Sequence, residues 1–229
     1  MTTSLKDKVA VITGGSTEVA GAVALALTGE GVKVTLCGKQ ADLLNLTADK
    51  IKSIGGTCLP FATDLNSLEI AQSVIEQTRS TFGGLDILIM VSPFWSGGQI
   101  HEHNVRTWDL VMNANLREAF LMSRAVLPIF REQKRGEVMS VGSDSAMGIY
   151  PQDGAYGVAM HALTTLMELI RAENAEFGIR THILSPGVAL TTDLDSEGKP
   201  ALTTSHVAEW ALWMLTRPDH LRGNGPVLI

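Results

Sequence analysis

Two hydroxyl side chains frame the chemistry open to this chain. Ser143 closes the apolar run Val138 to Val141, and Tyr156 stands near the start of a helical pattern beginning at Ala155. A strand-end serine and a tyrosine on the following helix can meet at one carbonyl oxygen, the serine polarising it and the tyrosine passing it a proton, which is the chemistry of a carbonyl/alcohol redox site. A tyrosine of ordinary pKa, about 10, is ionised in only about one molecule per thousand at neutral pH, and each unit of downward shift needs about 1.4 kcal/mol. An ammonium one helical turn away supplies that stabilisation, because positions i and i+4 share a face. Met160 stands at that position and supplies none. His161 lies roughly 140° round the helix from Tyr156 and is expected to point away. The next lysine, Lys199, belongs to another segment.

Short apolar runs alternate with longer helical patterns along the chain. Val9 to Thr13, Val32 to Cys37, Thr57 to Phe61, Ile87 to Val91, Val138 to Val141, Ile179 to Leu184 and Pro226 to Ile229 read as strands. Between them, Val19 to Glu30, Ala41 to Ile54, Leu68 to Phe82, Val105 to Glu132, Ala155 to Glu176 and His206 to Leu215 read as helices, the last with Thr204 as its N-cap. Strands apolar on both faces and separated by helices imply a parallel sheet covered on both sides. The expected fold is α/β: a doubly wound, parallel, seven-stranded sheet in a Rossmann-type three-layer sandwich, with residues 1–229 forming one domain.

Composition excludes several classes. At 229 residues, 45% hydrophobic and 18% charged, the chain has enough apolar residues for a sizeable core. A net charge of -6 argues against nucleic acid or an anionic membrane as partner. The opening residues Met1 to Lys8 lack the apolar core of a signal peptide, and no apolar run approaches membrane-spanning length, so a cytoplasmic location is expected. Cys37 and Cys58 have no metal or redox spacing and read as reduced core residues. His101-Glu102-His103 lacks a third ligand at helical spacing, so no metal site is expected.

Several landmarks in order resemble the short-chain dehydrogenase/reductase family: Thr13-Gly14 after the first strand, Asp64, Asn115, the Ser143/Tyr156 pair, and Ser185-Pro186-Gly187 with Thr191. The resemblance implies NAD(P) as cofactor, Asn115, Ser143 and Tyr156 as the catalytic set, and Gly14, Ser16 and Asp64 on the cofactor. Four places depart from the family's pattern. Met160 replaces the lysine of Tyr-x-x-x-Lys, and Glu18 replaces the second glycine of the opening turn. Met90-Val91-Ser92-Pro93 stands for Asn-Asn-Ala-Gly, and the polar stretch Asp193 to Pro200 is shorter than the usual lid.

Each departure has a physical consequence. Glu18 either takes the anion position at the helix N-terminus, repelling a pyrophosphate, or points into solvent and favours the helix start. Met90 and the bulky residues through Trp95 are expected to fill the crevice unless their loop is rearranged, and with Glu18 they weaken or abolish cofactor binding. Lys39, after the second strand, leans a working site towards NADP or is a lone solvated lysine; Asp64 sits on the adenine side or is a turn or N-cap residue. Asn115 either supports a proton path, as the resemblance implies, or satisfies a backbone carbonyl as a buried helix residue.

The leading expectation is a catalytically inactive family subunit that assembles with an intact family member, in a heterodimer or heterotetramer, as an NAD(P)-dependent alcohol/ketone dehydrogenase. Heteromeric family members of this kind are known, one acting on a hydroxyacyl-CoA thioester. The alternatives are an active oxidoreductase using Tyr156 and Ser143 without the lysine, in a homo-oligomer, and a non-enzymatic dinucleotide or metabolite sensor. The pattern from Ala155 to Ile170 is apolar round the whole axis, so its outer face is expected to meet a second subunit. Gly225 to Ile229 is expected to lie in or near a subunit contact.

Overall fold

The computed structural model describes residues 3–194, 196, 198–218 and 227–229. Among these, β1 (Val9–Thr13), β2 (Lys33–Gly38), β3 (Thr57–Ala62), β4 (Ile87–Val91), β5 (Gly136–Val141), β6 (Ile179–Ser185) and β7 (Val227–Leu228) form one sheet in the order β3-β2-β1-β4-β5-β6-β7. Every pairing is parallel. The central strands β1 and β4 are buried at all positions, which is why their sequences run apolar without alternation.

Alternate residues of one strand serve opposite cores. Val9 and Val11 face a cluster built with α3 (Leu68–Phe82), α5 (Glu118–Gln133) and α6 (Gly154–Asn174). Ala10 and Ile12 face the other cluster, with α1 (Glu18–Gly29), α2 (Ala41–Ser53) and α7 (Thr204–Thr216). The result is the expected doubly wound three-layer sandwich. No helix among the described residues is long and apolar enough to cross a membrane.

Element boundaries differ from expectation in several places. The single helix expected from Val105 to Glu132 is α4 (Val105–Met112), a π turn (Asn113–Arg117), then α5. Within it the Asn115 side chain donates to the Val111 carbonyl at 3.0 Å, competing with the backbone bonding of a regular α-helix. Helix α7 is capped by Thr203, not Thr204, in a reciprocal pair: the His206 amide donates to Thr203 Oγ, and the Thr203 amide donates to His206 Nδ1. Ser67, not Asp64, caps α3. Gly225 and Pro226, placed by sequence in or beside the last strand, lie outside the described residues.

Candidate active site

Strand order reverses between β1 and β4, and the crevice beyond the carboxyl ends of the strands at such a point is where ligands enter an open α/β sheet. Two cavities lie there, of about 340 and about 600 Å³, and Thr17 lines both. Thr17 caps α1, accepting from the Ala20 amide at 3.2 Å and donating to the Gly14 carbonyl at 2.8 Å. Gly14, at φ +67°, permits this turn; a Cβ there would sit 2.3 Å from the Val91 carbonyl oxygen. Glu18 is the first residue of α1, exposed, and lines neither cavity. Of the two placements open in the sequence, the structure shows the solvent-facing one, where an acidic residue suits the first helical turn.

The crevice is not filled. Met90 is buried in the sheet core, where its Sδ accepts a bond from the Ser123 hydroxyl at 3.6 Å. Phe94 lines the smaller cavity and Trp95 the larger, the latter 67% exposed. Asn115 explains the rearranged loop: the Phe94 amide donates to its Oδ1 at 3.2 Å, and its Nδ2 donates to the Phe94 carbonyl at 2.6 Å. With a third bond to Val111 and only 2% exposure, Asn115 pins the chain after β4 to the π turn and holds the aromatic side chains at the cavity walls. Its side chain is spent on backbone groups, as the second of the two alternatives expects.

The smaller cavity is lined by Gly14, Ser16, Lys39, Phe94 and Glu118 among others. Ser16 Oγ accepts from the Gln40 amide at 3.0 Å, tying the turn after β1 to the end of β2. Lys39 is not a lone surface lysine; its Nζ lies 2.8 Å from Asp64 and 3.7 Å from Glu118. Asp64 lines neither cavity. Glu118 is a functional candidate that sequence reasoning missed. Its side chain is 12% exposed, and its carboxyl is pushed up to about 7, by burial above all and by Asp64 in addition, with Lys39 opposing. The available signal was its i+3 spacing from Asn115.

The larger cavity brings Ser143 and Tyr156 together, with Pro186 and Gly187 of the segment after β6 in its wall; Thr191 is exposed and does not line it. Ser143 Oγ donates to Asp144 Oδ1 at 2.9 Å and accepts from the Ser145 amide at 3.2 Å, so its proton is turned towards a carboxylate. Burial pushes the Tyr156 phenol up; hydrogen bonding to Ser143 opposes this, and Asp144 and Asp153 raise it further. Met160 is 1% exposed, below Gly142, its Sδ 3.4 Å from where a Cβ on Gly142 would stand. His161 Nδ1 bonds the Gly157 carbonyl at 2.9 Å, and the ring lines neither cavity. Asp144 and Asp153 were legible only as acidic neighbours of Ser143 and Tyr156 in the chain.

The residues present fit a dinucleotide in shape: the Cβ-free cradle at Gly14, the open N-terminus of α1, and a cavity on either side of it. They offer less to a 2′-phosphate, since Lys39 is already paired with two carboxylates. After β6 the chain closes as a short loop, with Leu194 bridged to Pro200 and Leu190 to Thr203; Asp195 and Glu197 of the expected polar stretch lie outside the described residues. In the His101-Glu102-His103 stretch, His101 pairs with Glu102 at the surface and His103 packs edge-on against Trp108 at 6.0 Å.

Comparison with known proteins gives a consistent picture. The family model described as short chain dehydrogenase matches residues 8–201. An uncharacterized oxidoreductase of Staphylococcus aureus is 29% identical over 97% of this chain and 96% of its own length. One from Staphylococcus saprophyticus is 28% identical over 96% of each. Among solved structures, a short-chain type dehydrogenase/reductase from Mycobacterium marinum superposes with a TM-score of 0.89 at 23% identity, covering 99% of this chain and 94% of that one. A short chain dehydrogenase from Mycobacterium smegmatis gives 0.88 at 23% identity, with 98% and 92% covered. At that identity the two structures speak to the fold.

Proposed function

The chain belongs to the short chain dehydrogenase family, and from that premise we propose that it is an oxidoreductase-type subunit that does not itself carry out the proton transfer. It assembles with an intact family member, in a heterodimer or heterotetramer, as an NAD(P)-dependent alcohol/ketone dehydrogenase. One observation carries this reading. The tyrosine that must exchange a proton with the substrate oxygen has a buried thioether at i+4, and the charges that act on it are the carboxylates of Asp144 and Asp153. Burial above all, and both carboxylates in addition, oppose the phenolate and outweigh the hydrogen bond to Ser143, so at neutral pH the ionised fraction falls below the ~0.1% of a free tyrosine. Ser143 adds to the deficit, because its proton is engaged by Asp144 and not free for a carbonyl.

A bound nicotinamide would supply only the hydride. Around it, Gly14, Ser16 and Thr17 would hold the phosphates and ribose, while the Tyr156 hydroxyl would orient a carbonyl without transferring its proton. The open crevice favours a second reading, a subunit that binds a dinucleotide and does not turn it over.

The test is a titration of the purified chain with NADH and NADPH, read by fluorescence and calorimetry, beside an assay for turnover of simple ketones and alcohols. Turnover indistinguishable from buffer, restored on co-expression with an intact family member that co-purifies, is the expected result. Cofactor-dependent turnover by the chain alone, abolished in Tyr156→Phe, would overturn it and make the chain a working reductase. Tight dinucleotide binding without turnover, and without a co-purifying subunit, would select the second reading.

A further inference from the structure

Glu118, the first residue of α5, stands between the core and the smaller cavity. Its side chain lines that cavity at only 12% exposure, and it also walls a hollow of about 10 Å³ with Met90 and Leu163, both buried. Lys39 Nζ lies 3.7 Å from it, but is closer, at 2.8 Å, to the half-exposed Asp64, so one ammonium serves two carboxylates. Burial above all pushes the Glu118 carboxyl up to about 7, with Lys39 opposing and Asp64 adding, so both its forms are populated at neutral pH. The neighbouring groups do not compete in that range. Cys37, on the same cavity wall, is pushed up to about 12 by burial and stays a thiol. Arg117, beside Glu118 in the chain, is turned to the Asn66 carbonyl, and no His among the described residues lines the cavity.

We propose that Glu118 links nucleotide binding to a proton: an adenosine seated in the smaller cavity is held while Glu118 is protonated, and is released as that proton is lost to solvent. This rests on the reading that the crevice takes a dinucleotide, whose nicotinamide end belongs beside the hydroxyl pair in the larger cavity and whose adenosine end belongs in the smaller one, next to the end of β2. A ligand that fills the smaller cavity covers the exposure Glu118 keeps, and loss of that water disfavours the charged form far more than the neutral one. The protonated carboxyl has a hydrogen to donate to a ribose hydroxyl or a ring nitrogen, whereas the carboxylate can only accept. Phosphates held at Gly14, Ser16 and Thr17, in the same wall, act against the carboxylate in the same sense. Lys39 offsets only part of this, because Asp64 holds it more closely. Binding therefore takes up a proton from solvent, and affinity is highest below about pH 7 and falls above it.

The experiment is calorimetric titration of the full chain with NADH and with adenosine between pH 6 and pH 8.5, repeated at pH 7.5 in buffers of different ionisation enthalpy so that the heat counts protons. Both probes are expected to bind about tenfold or more tightly at pH 6 than at pH 8.5, with proton uptake at pH 7.5. Glu118→Gln, which cannot ionise, should vary by less than about twofold over the range and take up no proton. Lys39→Met removes the cation that favours the carboxylate, so the midpoint of the profile should move to higher pH, a shift that a merely structural role for Glu118 would not produce. A flat profile in the unsubstituted chain, proton release in place of uptake, or a profile that survives Glu118→Gln would each overturn the proposal. Should Glu118→Gln fail to bind, the direction of the Lys39→Met shift decides. Absence of binding by both probes at pH 6 would also overturn it, and with it the dinucleotide reading. Proton linkage lost while NADH still binds would strike the role of Glu118 alone. No turnover enters these measurements, so the inactive-subunit proposal stands or falls separately.

Discussion

At the scale of single residues, two side chains carry most of the electrostatics. Met160→Lys places an ammonium on the face of α6 that holds Tyr156, and an opposite charge at that range lowers a phenol's pKa. In a titration followed by tyrosinate absorbance, Tyr156 is expected to ionise above the ordinary tyrosine value in the unsubstituted chain and to drop by at least about one unit in Met160→Lys. Met160→Leu, which keeps the volume, should leave the Tyr156 titration unchanged and cost less than about 1.5 kcal/mol. The lysine variant should lose more than about 2 kcal/mol in urea unfolding, because Met160 is fully enclosed. An unmoved Tyr156 in a folded Met160→Lys protein would show that the missing cation is not what silences it. Glu118 titrates in the opposite sense to a paired carboxylate. Its folded pKa, about 7, lies above the ordinary 4.5, so the native state holds the proton more tightly than the unfolded chain. The stability this gives is fully present below the unfolded value and is lost as pH rises through 7, a difference of roughly 2 to 3 kcal/mol. Glu118→Gln should therefore gain about that much relative to the unsubstituted chain between pH 5 and pH 8, measured by urea unfolding at each pH. A constant difference across that range would show that the carboxyl is better solvated than its burial implies.

At the scale of elements, the site depends on where the chain goes after β4, and Asn115 decides that. Asn115→Ala removes three hydrogen bonds and leaves the Phe94 amide and carbonyl without their partner. Buried polar groups left unpaired cost about 1 to 3 kcal/mol each, so a loss of roughly 2 to 4 kcal/mol is expected, with faster exchange of the Phe94 amide proton. Loss of stability with unchanged exchange at Phe94 would mean that the loop is held by something else. The contrast between elements explains what the sequence disclosed. Continuous apolar runs such as Val9 to Thr13 and Ile87 to Val91 fix a buried parallel sheet, because only burial on both faces accounts for them. Ser143 and Tyr156 were legible because their places follow from a strand end and a helix start. The π turn was not, since a widened turn leaves no trace in apolar periodicity. Nor was the open crevice, which rests on a bond between Phe94 and Asn115, 21 positions apart. Glu118 and Lys39 meet for the same kind of reason: they come from different elements, and only the sheet order brings the end of β2 beside the start of α5.

At the scale of the whole molecule, an apolar surface on α5 and α6 is uncovered among the described residues. The inner side of α6 is consumed by Met160, Leu163, Met167 and Ile170, all buried. Its outer side presents Val158 and Leu169, both exposed, and Phe120 of α5 is exposed nearby. A hollow of about 440 Å³ lies between these helices and the π turn, walled by Met112, Leu116, Phe120 and Leu166. Apolar surface of this kind is where the partner subunit of the proposed function would dock, and the sequence pattern of α6, apolar round its axis, carries the same expectation. Light scattering after size exclusion is expected to give a mass at least twice the 24.5 kDa of one chain, alone or with a co-expressed intact family member. Phe120→Glu together with Leu169→Glu should return the mass to that of one chain, because each charge would lose its water in a closed contact. Both positions are exposed in the single chain, so its unfolding free energy should change by less than about 0.5 kcal/mol per substitution. An assembly that keeps its mass through the double substitution would place the contact elsewhere. An unsubstituted chain of 24.5 kDa that gains no mass on co-expression would show that the intact partner required by the proposed function does not dock on this face.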